Sequence, residues 1–269
     1  DLVKLPEVIS FAKLRASWAK VGSGGPAYML SRNATFSSGG NNGYLQLSGI
    51  LPNRNLRPEQ TNSYEAGLDA SLFANRLSLN VTYYKTNTLN QLFTVALPPG
   101  SGASQFFTNG GDVENKGVEI VLSGIIIKSG NFRWQTDVNF SRNRNMVKKI
   151  DDQRPKLIVG SDQSFRDYVV IQGQPFGQIY SIGFLRDANN NVVVDSRGIP
   201  LNTGSRTVSV ANANPDWMGG ITNTFSFKNI SFSFLIDHRQ GGTVISVTDA
   251  MRNYEGQTKT TLQGREGGL

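Results

Sequence analysis

The 269-residue sequence contains no cysteine. That excludes a disulfide framework, a cysteine nucleophile and a thiolate metal site. It contains one histidine, His238, which excludes zinc sites built from several histidines. No stretch approaches the ~20 consecutive apolar residues of a transmembrane helix. The densest short run is Gly124 to Ile127. Membrane β-strands carry a much weaker signal, so a barrel stays open. Apolar residues are 38% and charged residues 17%, both low for a soluble globular chain. The Ala/Glu/Lys/Leu mixture of a helical bundle is missing. Net charge is +7, yet there is no dense basic run, and Arg142-Asn143-Arg144 and Lys148-Lys149 are the nearest to one. With no nucleic-acid motif either, a nucleic-acid partner is not expected. The start, Asp1 to Pro6, has neither an initiator Met nor a signal-peptide pattern. It reads as a processed, trimmed or partial chain.

What is present is glycine (29 residues), abundant Asn, Ser and Thr, and a period-two alternation repeated in pairs. Tyr64, Ala66, Leu68, Ala70 and Leu72 alternate with Glu65, Gly67, Asp69 and Ser71. After Ala74-Asn75-Arg76, Leu77, Leu79, Val81 and Tyr83 alternate with Ser78, Asn80, Thr82 and Tyr84. A second hairpin sets Val118, Ile120, Leu122 and Ile126, then a turn at 128–131, then Phe132, Trp134, Thr136, Val138 and Phe140. A third joins Ile221, Phe225 and Phe227 through Lys228-Asn229 to Ile230, Phe232, Phe234 and Ile236. Leu14, Ala16 and Trp18 mark one more strand near the start.

Three connections are tight, and three are long: roughly 21–60, 92–112 and 148–215. Long loops are rare in compact soluble domains. Alternating tight and long connections is the pattern of an outer-membrane barrel. The apolar faces carry no charge and a single amide, Asn223. The opposite faces hold Glu65, Asp69, Glu119, Arg133, Asp137 and Asp237. A lipid-facing charge near the midplane costs ~2–4 kcal/mol, which accounts for such a division. A half-buried soluble sheet shows the same alternation, so an all-β carbohydrate-binding or adhesin module remains the alternative. Strands of about ten residues favour the membrane, where 9–11 are needed. Trp18, Tyr64, Tyr83, Trp134 and Trp217 near strand ends suit interfacial girdles or a core equally. The count is about seven strands, an odd number that predicts part of a larger barrel.

Specific stretches carry a resemblance. Asn55 to Asp69 (NLRPEQTNSYEAGLD) is followed by Asn75 to Thr88 as the next strand. Then come Asn109 to Glu119 (NGGDVENKGVE), Asn139 to Asn145 (NFSRNRN) and Gly173 to Gly177 (GQPFG). Last are Asn214 to Trp217 with Gly219, Gly220 and Asn223 to Phe225, and Gly264 to Gly268 (GREGG). In this order they resemble the SusC/RagA branch of TonB-dependent outer-membrane transporters, from about residue 10 to the end. The resemblance implies an all-β antiparallel transmembrane barrel of roughly 22 strands around a plug, with long extracellular loops. Residues 1–269 would form part of the C-terminal half of that barrel domain, without the plug. It implies uptake of oligosaccharides or oligopeptides with TonB energy through the bacterial outer membrane of Bacteroidetes-like cells. The implied partners are a SusD-like surface lipoprotein, TonB through the plug region, and outer-membrane lipid. No catalysis and no cofactor are implied. Many glycan importers of the branch carry an Asp-rich stretch where this chain has Asp187 to Asp195 (DANNNVVVD), a departure that leaves oligopeptides open.

Candidate substrate or lid contacts are Tyr28, Tyr44, Phe106, Phe107, Phe165, Arg166, Tyr168, Phe176 and Tyr180, all in the expected extracellular loops. Aromatic faces stack on sugar rings and grip apolar side chains, and polar neighbours orient them. Loop packing is the plainer use of the same residues. Arg166 and Asp167 suit peptide termini or a surface ion pair. Asp187, Asn189, Asn191 and Asp195 have calcium-loop spacing. Val192 and Gly198 stand where such a loop needs Gly and Glu, so an Asn-rich turn is expected. His238 is expected at a rim or in a lumen, and adjacent Asp151-Asp152 on a solvated loop.

Overall fold

A computed structural model of the protein describes residues 6–150, 155–162, 165–262 and 265. Asp151-Asp152 and most of the Gly264–Gly268 block lie outside the described residues. The period-two segments form seven long strands: β1 (Ile9–Ser23), β2 (Glu59–Leu72), β3 (Leu77–Leu89), β4 (Asp112–Ser129), β5 (Phe132–Lys149), β6 (Pro215–Phe227) and β7 (Ile230–Gly241). They form one antiparallel sheet in sequence order. Among the described residues no helix is long and apolar enough to cross a membrane.

Register aligns the apolar positions across the whole sheet. Ala12, Ala70, Leu79, Leu122, Val138, Ile221 and Ile236 are successive cross-strand partners. The next row toward the loops is Leu14, Leu68, Val81, Ile120 and Phe140, ending on Gly219 and His238. A slip of one residue would turn every one of these side chains to the opposite face. No described residue covers this face: Leu14 is 83% exposed, Ile230 74% and Trp18 63%. Asn223 is reconciled with its apolar neighbours by hydrogen bonds. Its Oδ1 accepts from Trp134 Nε1 at 3.0 Å and Thr136 Oγ1 at 2.8 Å, which offsets the cost of placing an amide among hydrocarbons.

The wall departs locally from strict alternation. A bulge at Ile126 pairs Ile127 with Trp134 and Ile125 with Gln135. The extra residue lets Ile126 and Ile127 both serve the apolar face, with Ile126 against the space beside Gly124. The turn end is tight, at 73–76, 130–131 and 228–229. Phe73, Ala74 and Asn75 all have positive φ (53°, 53° and 63°), a left-handed turn that the sequence alone does not announce.

The long connections carry their own structure. Ala34–Ser37 pairs with Tyr44–Leu47 in the first. Gln105–Asn109 pairs antiparallel with Leu92–Ala96 and parallel with Ile50–Leu51, which ties the first two connections together. The third holds a four-stranded sheet of Lys156–Asp162, Arg166–Ile171, Gln178–Ser181 and Val208–Asn212. The buried core sits where wall and loops meet, in Val113, Val147, Ile150, Leu157 and Val170, with Phe176 packed on it. After β7 the chain forms a helix, α1 (Val247–Tyr254), where the alternation reading expects only loop. Ser246 caps it by accepting from Asp249 N at 3.1 Å, the usual way to satisfy a free first-turn donor.

Candidate functional site

The face opposite the apolar rows is polar and specific. Arg15, on the edge strand β1, gathers one cluster of it. Its Nη1 lies 2.6 Å from Glu65 Oε1 and its Nε 3.6 Å from Asp69 Oδ2. Its Nη2 also donates to Thr82 Oγ1 and to Asn80 Oδ1, and Asn80 donates to Asp69. Gly67 faces Arg15 across the strands, and a Cβ there would stand 2.6 Å from the guanidinium. The glycine leaves the space the cation occupies.

Nearer the loops the same face becomes a ladder of amides. Tyr84 lies over Gly117, where a Cβ would meet the tyrosine hydroxyl at 2.6 Å and the Arg142 carbonyl oxygen at 2.5 Å. The Tyr84 hydroxyl donates to Asn143 Oδ1 at 3.2 Å. Asn143 and Asn145 both donate to Asn115 Oδ1, at 3.2 and 2.8 Å. Asn145 Oδ1 then accepts from Phe176 N at 2.7 Å. Asn214 donates to the Phe176 carbonyl, and Val147 exchanges backbone hydrogen bonds with Gly173 and Gln174. The segment 173–176 is thereby stitched to the wall. Sequence reasoning placed Tyr84 opposite the apolar parity but assigned Asn115, Gly117, Asn143 and Asn145 to neither face. Their signal is polar residues recurring at one parity beside glycine.

Of the candidates, Arg166, Tyr168 and Tyr180 lie in the loop sheet of the third connection, with Phe165 in the turn just before Arg166. Tyr168 and Tyr180 project from opposite faces of the sheet, because Tyr168 pairs with Gly160 and Ile179 while Tyr180 pairs with Asp167 and Ser209. Arg166 stacks over Tyr168 at 5.4 Å and Lys156 over Tyr180 at 4.5 Å. The Phe165 carbonyl accepts from Ser181 Oγ at 2.6 Å. Asp167 pairs with Arg206 at 2.6 Å, with both side chains largely buried, and accepts from Ser161 at 2.7 Å. That carboxylate is occupied within the chain.

The others lie apart. Phe176 stacks on Phe93, ring centroids 6.3 Å apart, against the buried core. Its role in the structure is packing. Phe106 and Phe107 are half-buried in the Gln105–Asn109 strand. Tyr28, at φ 63°, is 78% exposed and borders a small hollow with Met29, Leu56 and Leu92. Tyr44 opens the Tyr44–Leu47 strand and is exposed. His238 is neither at a strand end nor in the polar lumen. β7 continues to Gly241, and the imidazole lies on the apolar-face parity, 4.9 Å from the ring centre of Trp217, which itself packs on Phe140.

Between Gly183 and Thr203 the chain forms a finger with two hydrogen-bonded turns eight residues apart, Asp187 to Asn190 and Asp195 to Gly198. Leu185, Val193 and Leu201 close a ring of backbone hydrogen bonds, each 2.9 Å. Asp187 Oδ1 accepts from Asn189 N and Asn191 N, and Asp195 Oδ1 from Arg197 N and Ile199 N. Asn190 and Gly198 supply the matching left-handed positions, φ 67° and 81°. Both carboxyls titrate below the usual range. For Asp187 the first cause is the Asn191 N–H, and for Asp195 the Ile199 N–H. The Asp187, Asn191 and Asp195 side chains are spent on their own turns. Among the described residues no three His, Cys, Asp or Glu side chains come together as metal ligands.

Residues 6–261 match the family model described as "TonB dependent receptor-like, beta-barrel". The chain is 28% identical over 232 residues to TonB-dependent receptor P3 of Formosa agariphila, covering 77% of the chain and 23% of that protein. It is 26% identical over 255 residues to TonB-dependent receptor SusC of Bacteroides thetaiotaomicron, covering 87% of the chain and 25% of that protein. The chain thus spans about a quarter of the length of the curated relatives it matches. Among solved structures it is similar to one titled as the RagAB peptide transporter, with TM-score 0.69, 22% identity, and coverage of 87% of this chain and 27% of that one.

Proposed function

The chain belongs to the TonB-dependent receptor-like β-barrel family, and from that premise we propose that it builds wall and extracellular loops of an outer-membrane importer for oligosaccharides or oligopeptides. One observation carries the reading: seven strands whose apolar rows run in register over an uncovered face. A soluble sandwich would pack a second sheet about 10 Å above such a face. Lipid is the solvent that tolerates it bare. The polar face behind it then lines the lumen. Its carboxylates, guanidinium and amides favour a cargo rich in hydroxyl or amide groups. Energy for import would come from TonB acting through the plug.

The loop sheet and the finger of residues 183–203 suit the extracellular vestibule. Tyr168, Tyr180 and Tyr28 are the aromatic surfaces offered to cargo. On the finger, Phe184, Val194 and Ile199 are exposed apolar residues, a composition that favours protein contact, here with a SusD-like surface lipoprotein acting as lid. The test uses the full-length protein. Outer membranes are extracted in mild detergent, the transporter is captured by a tag, and the co-purifying chains are identified. A surface lipoprotein in near-equal amount is the expected result. A protein that stays in the aqueous fraction would refute the importer. A Phe184→Asp/Val194→Asp variant that keeps the lipoprotein would remove the finger from the docking surface.

A further inference from the structure

On the apolar side of the wall, at its loop end, three lysines close on one carboxylate and two arginines stand beside them. Lys85 on β3, Lys116 on β4 and Arg144 on β5 are direct cross-strand partners of one another. Like charges in such positions destabilise a sheet. One row nearer the turns, Arg142 stands opposite Val118, and Lys148 follows further along β5. Glu114 takes the lysines, Lys85 at 3.0 Å, Lys148 at 3.3 Å and Lys116 at 3.6 Å, with its own side chain 9% exposed. Arg142 and Arg144 are exposed and form no ion pair or side-chain hydrogen bond with any described residue. Above Ser141 and Met218, β5 and β6 no longer pair. A hollow of about 560 Å³ opens there between wall and loops, with Lys116, Arg142, Arg144 and Lys148 on this side and Asn145 and Asp216 on the lumen parity.

The depth of this cluster is set by the strands. From Phe132, in the apolar row nearest the turns, to Arg142 is ten residues, or about 33 Å of strand. At a tilt of about 40° this rises about 25 Å, the height of a barrel's apolar band. The cations therefore stand one band-height above the turn end, where headgroups begin. Trp18 and Tyr64, cross-strand partners, lie in the same row as Lys85, Lys116 and Arg144, as interfacial aromatics do.

We propose that this cluster docks the phosphate-bearing headgroup of an anionic lipid of the outer leaflet, with the acyl chains lying along the apolar rows beneath. The inference rests on the barrel-wall reading. A phosphate would offset the unbalanced row. Planar guanidinium groups match phosphate oxygens in pairs. Continuity with the apolar rows favours an amphiphile over a free anion, which has nothing to place there. Each cation near an anionic surface adds to the attraction.

The test is thermal unfolding of the full-length transporter in neutral detergent, with and without a phosphate-bearing lipid, beside a lipid of neutral headgroup. The variant is Arg142→Gln/Arg144→Gln. Without added lipid the variant is expected to be as stable as the wild type or slightly more so, because a like-charge row is relieved. With the phosphorylated lipid the wild type is expected to rise in Tm and the variant to rise much less. Lipid phosphate retained through washing is expected to fall roughly tenfold in the variant. Equal rises, or equal retained phosphate, would overturn the proposal. So would a rise that the neutral lipid reproduces, or an effect of the variant only on a co-purifying protein chain. A protein found outside the membrane fraction would instead refute the barrel reading, so the two failures are distinguishable.

Discussion

On one face of the seven strands, any apolar side chain suffices. On the other, the clusters around Arg15 and Tyr84 are built from residues with named partners. Leu79 meets Ala70 and Leu122 with no directional requirement, whereas Arg15 needs Glu65, Asp69, Asn80 and Thr82 in place together. The same backbone serves a solvent that punishes charge and a lumen that is organised by it. Composition is free and polarity fixed on the first face, while geometry is fixed on the second.

The largest effect should come from violating the first rule. Leu79→Arg would set a charge amid the apolar rows, at a cost of about 2–4 kcal/mol near a bilayer midplane. Ser78→Arg, one residue away on the lumen parity, should stay within about 0.5 kcal/mol. Urea unfolding of the full-length protein in lipid vesicles measures both. Similar costs for the two would erase the distinction between the faces.

The second rule is tested at Gly117. Adding a methyl group should cost about 1–3 kcal/mol by overpacking. The Cβ of Gly117→Ala would meet the Arg142 carbonyl oxygen as well as the Tyr84 ring. Backbone cannot step aside as a side-chain tip does, so Tyr84→Ala is expected not to rescue the variant in the same unfolding assay. Full rescue would make the lumen face as permissive as the outer one and remove backbone approach as its organising constraint.

The difference between the faces also decides what was readable beforehand. Period-two alternation is a local signal, so the seven strands, their tight turns and the apolar parity followed from the sequence. Asn223 stood out as an exception, but its resolution by Trp134 and Thr136 needed the register of β5 against β6. Contacts such as Tyr84 over Gly117 depend on register between β3 and β4, which alternation does not fix. Loop aromatics were harder still. Phe176 and Tyr168 look alike in sequence, yet Phe176 packs on Phe93 while Tyr168 lies on the loop sheet, because only the former segment is stitched to Val147 and Asn145. His238 was displaced from its expected rim or lumen by the extra length of β7. Helix α1 did carry a signal in Ser246 with Asp249 three residues on and Gly256 after the last turn, which an all-β reading passes over.

The smallest effect contrasts the wall with the finger, where order comes from turns rather than from rows of strands. Asp187 and Asp195 titrate below their ordinary range because backbone N–H groups donate to the ionised form. A depressed folded-state value means the carboxylates contribute stability above the unfolded value, near pH 3.9. That contribution is lost as pH falls through the lower folded value. The finger should therefore be indifferent to pH from neutrality to about pH 5 and loosen only below about pH 4. Amide exchange or limited proteolysis across residues 183–205, as a function of pH, measures this. Asp187→Asn/Asp195→Asn keeps the acceptor oxygens but removes the titration, so the acid transition should vanish while the turns persist. A transition near pH 6, or one unchanged in the double variant, would mean that these carboxylates do not hold the turns.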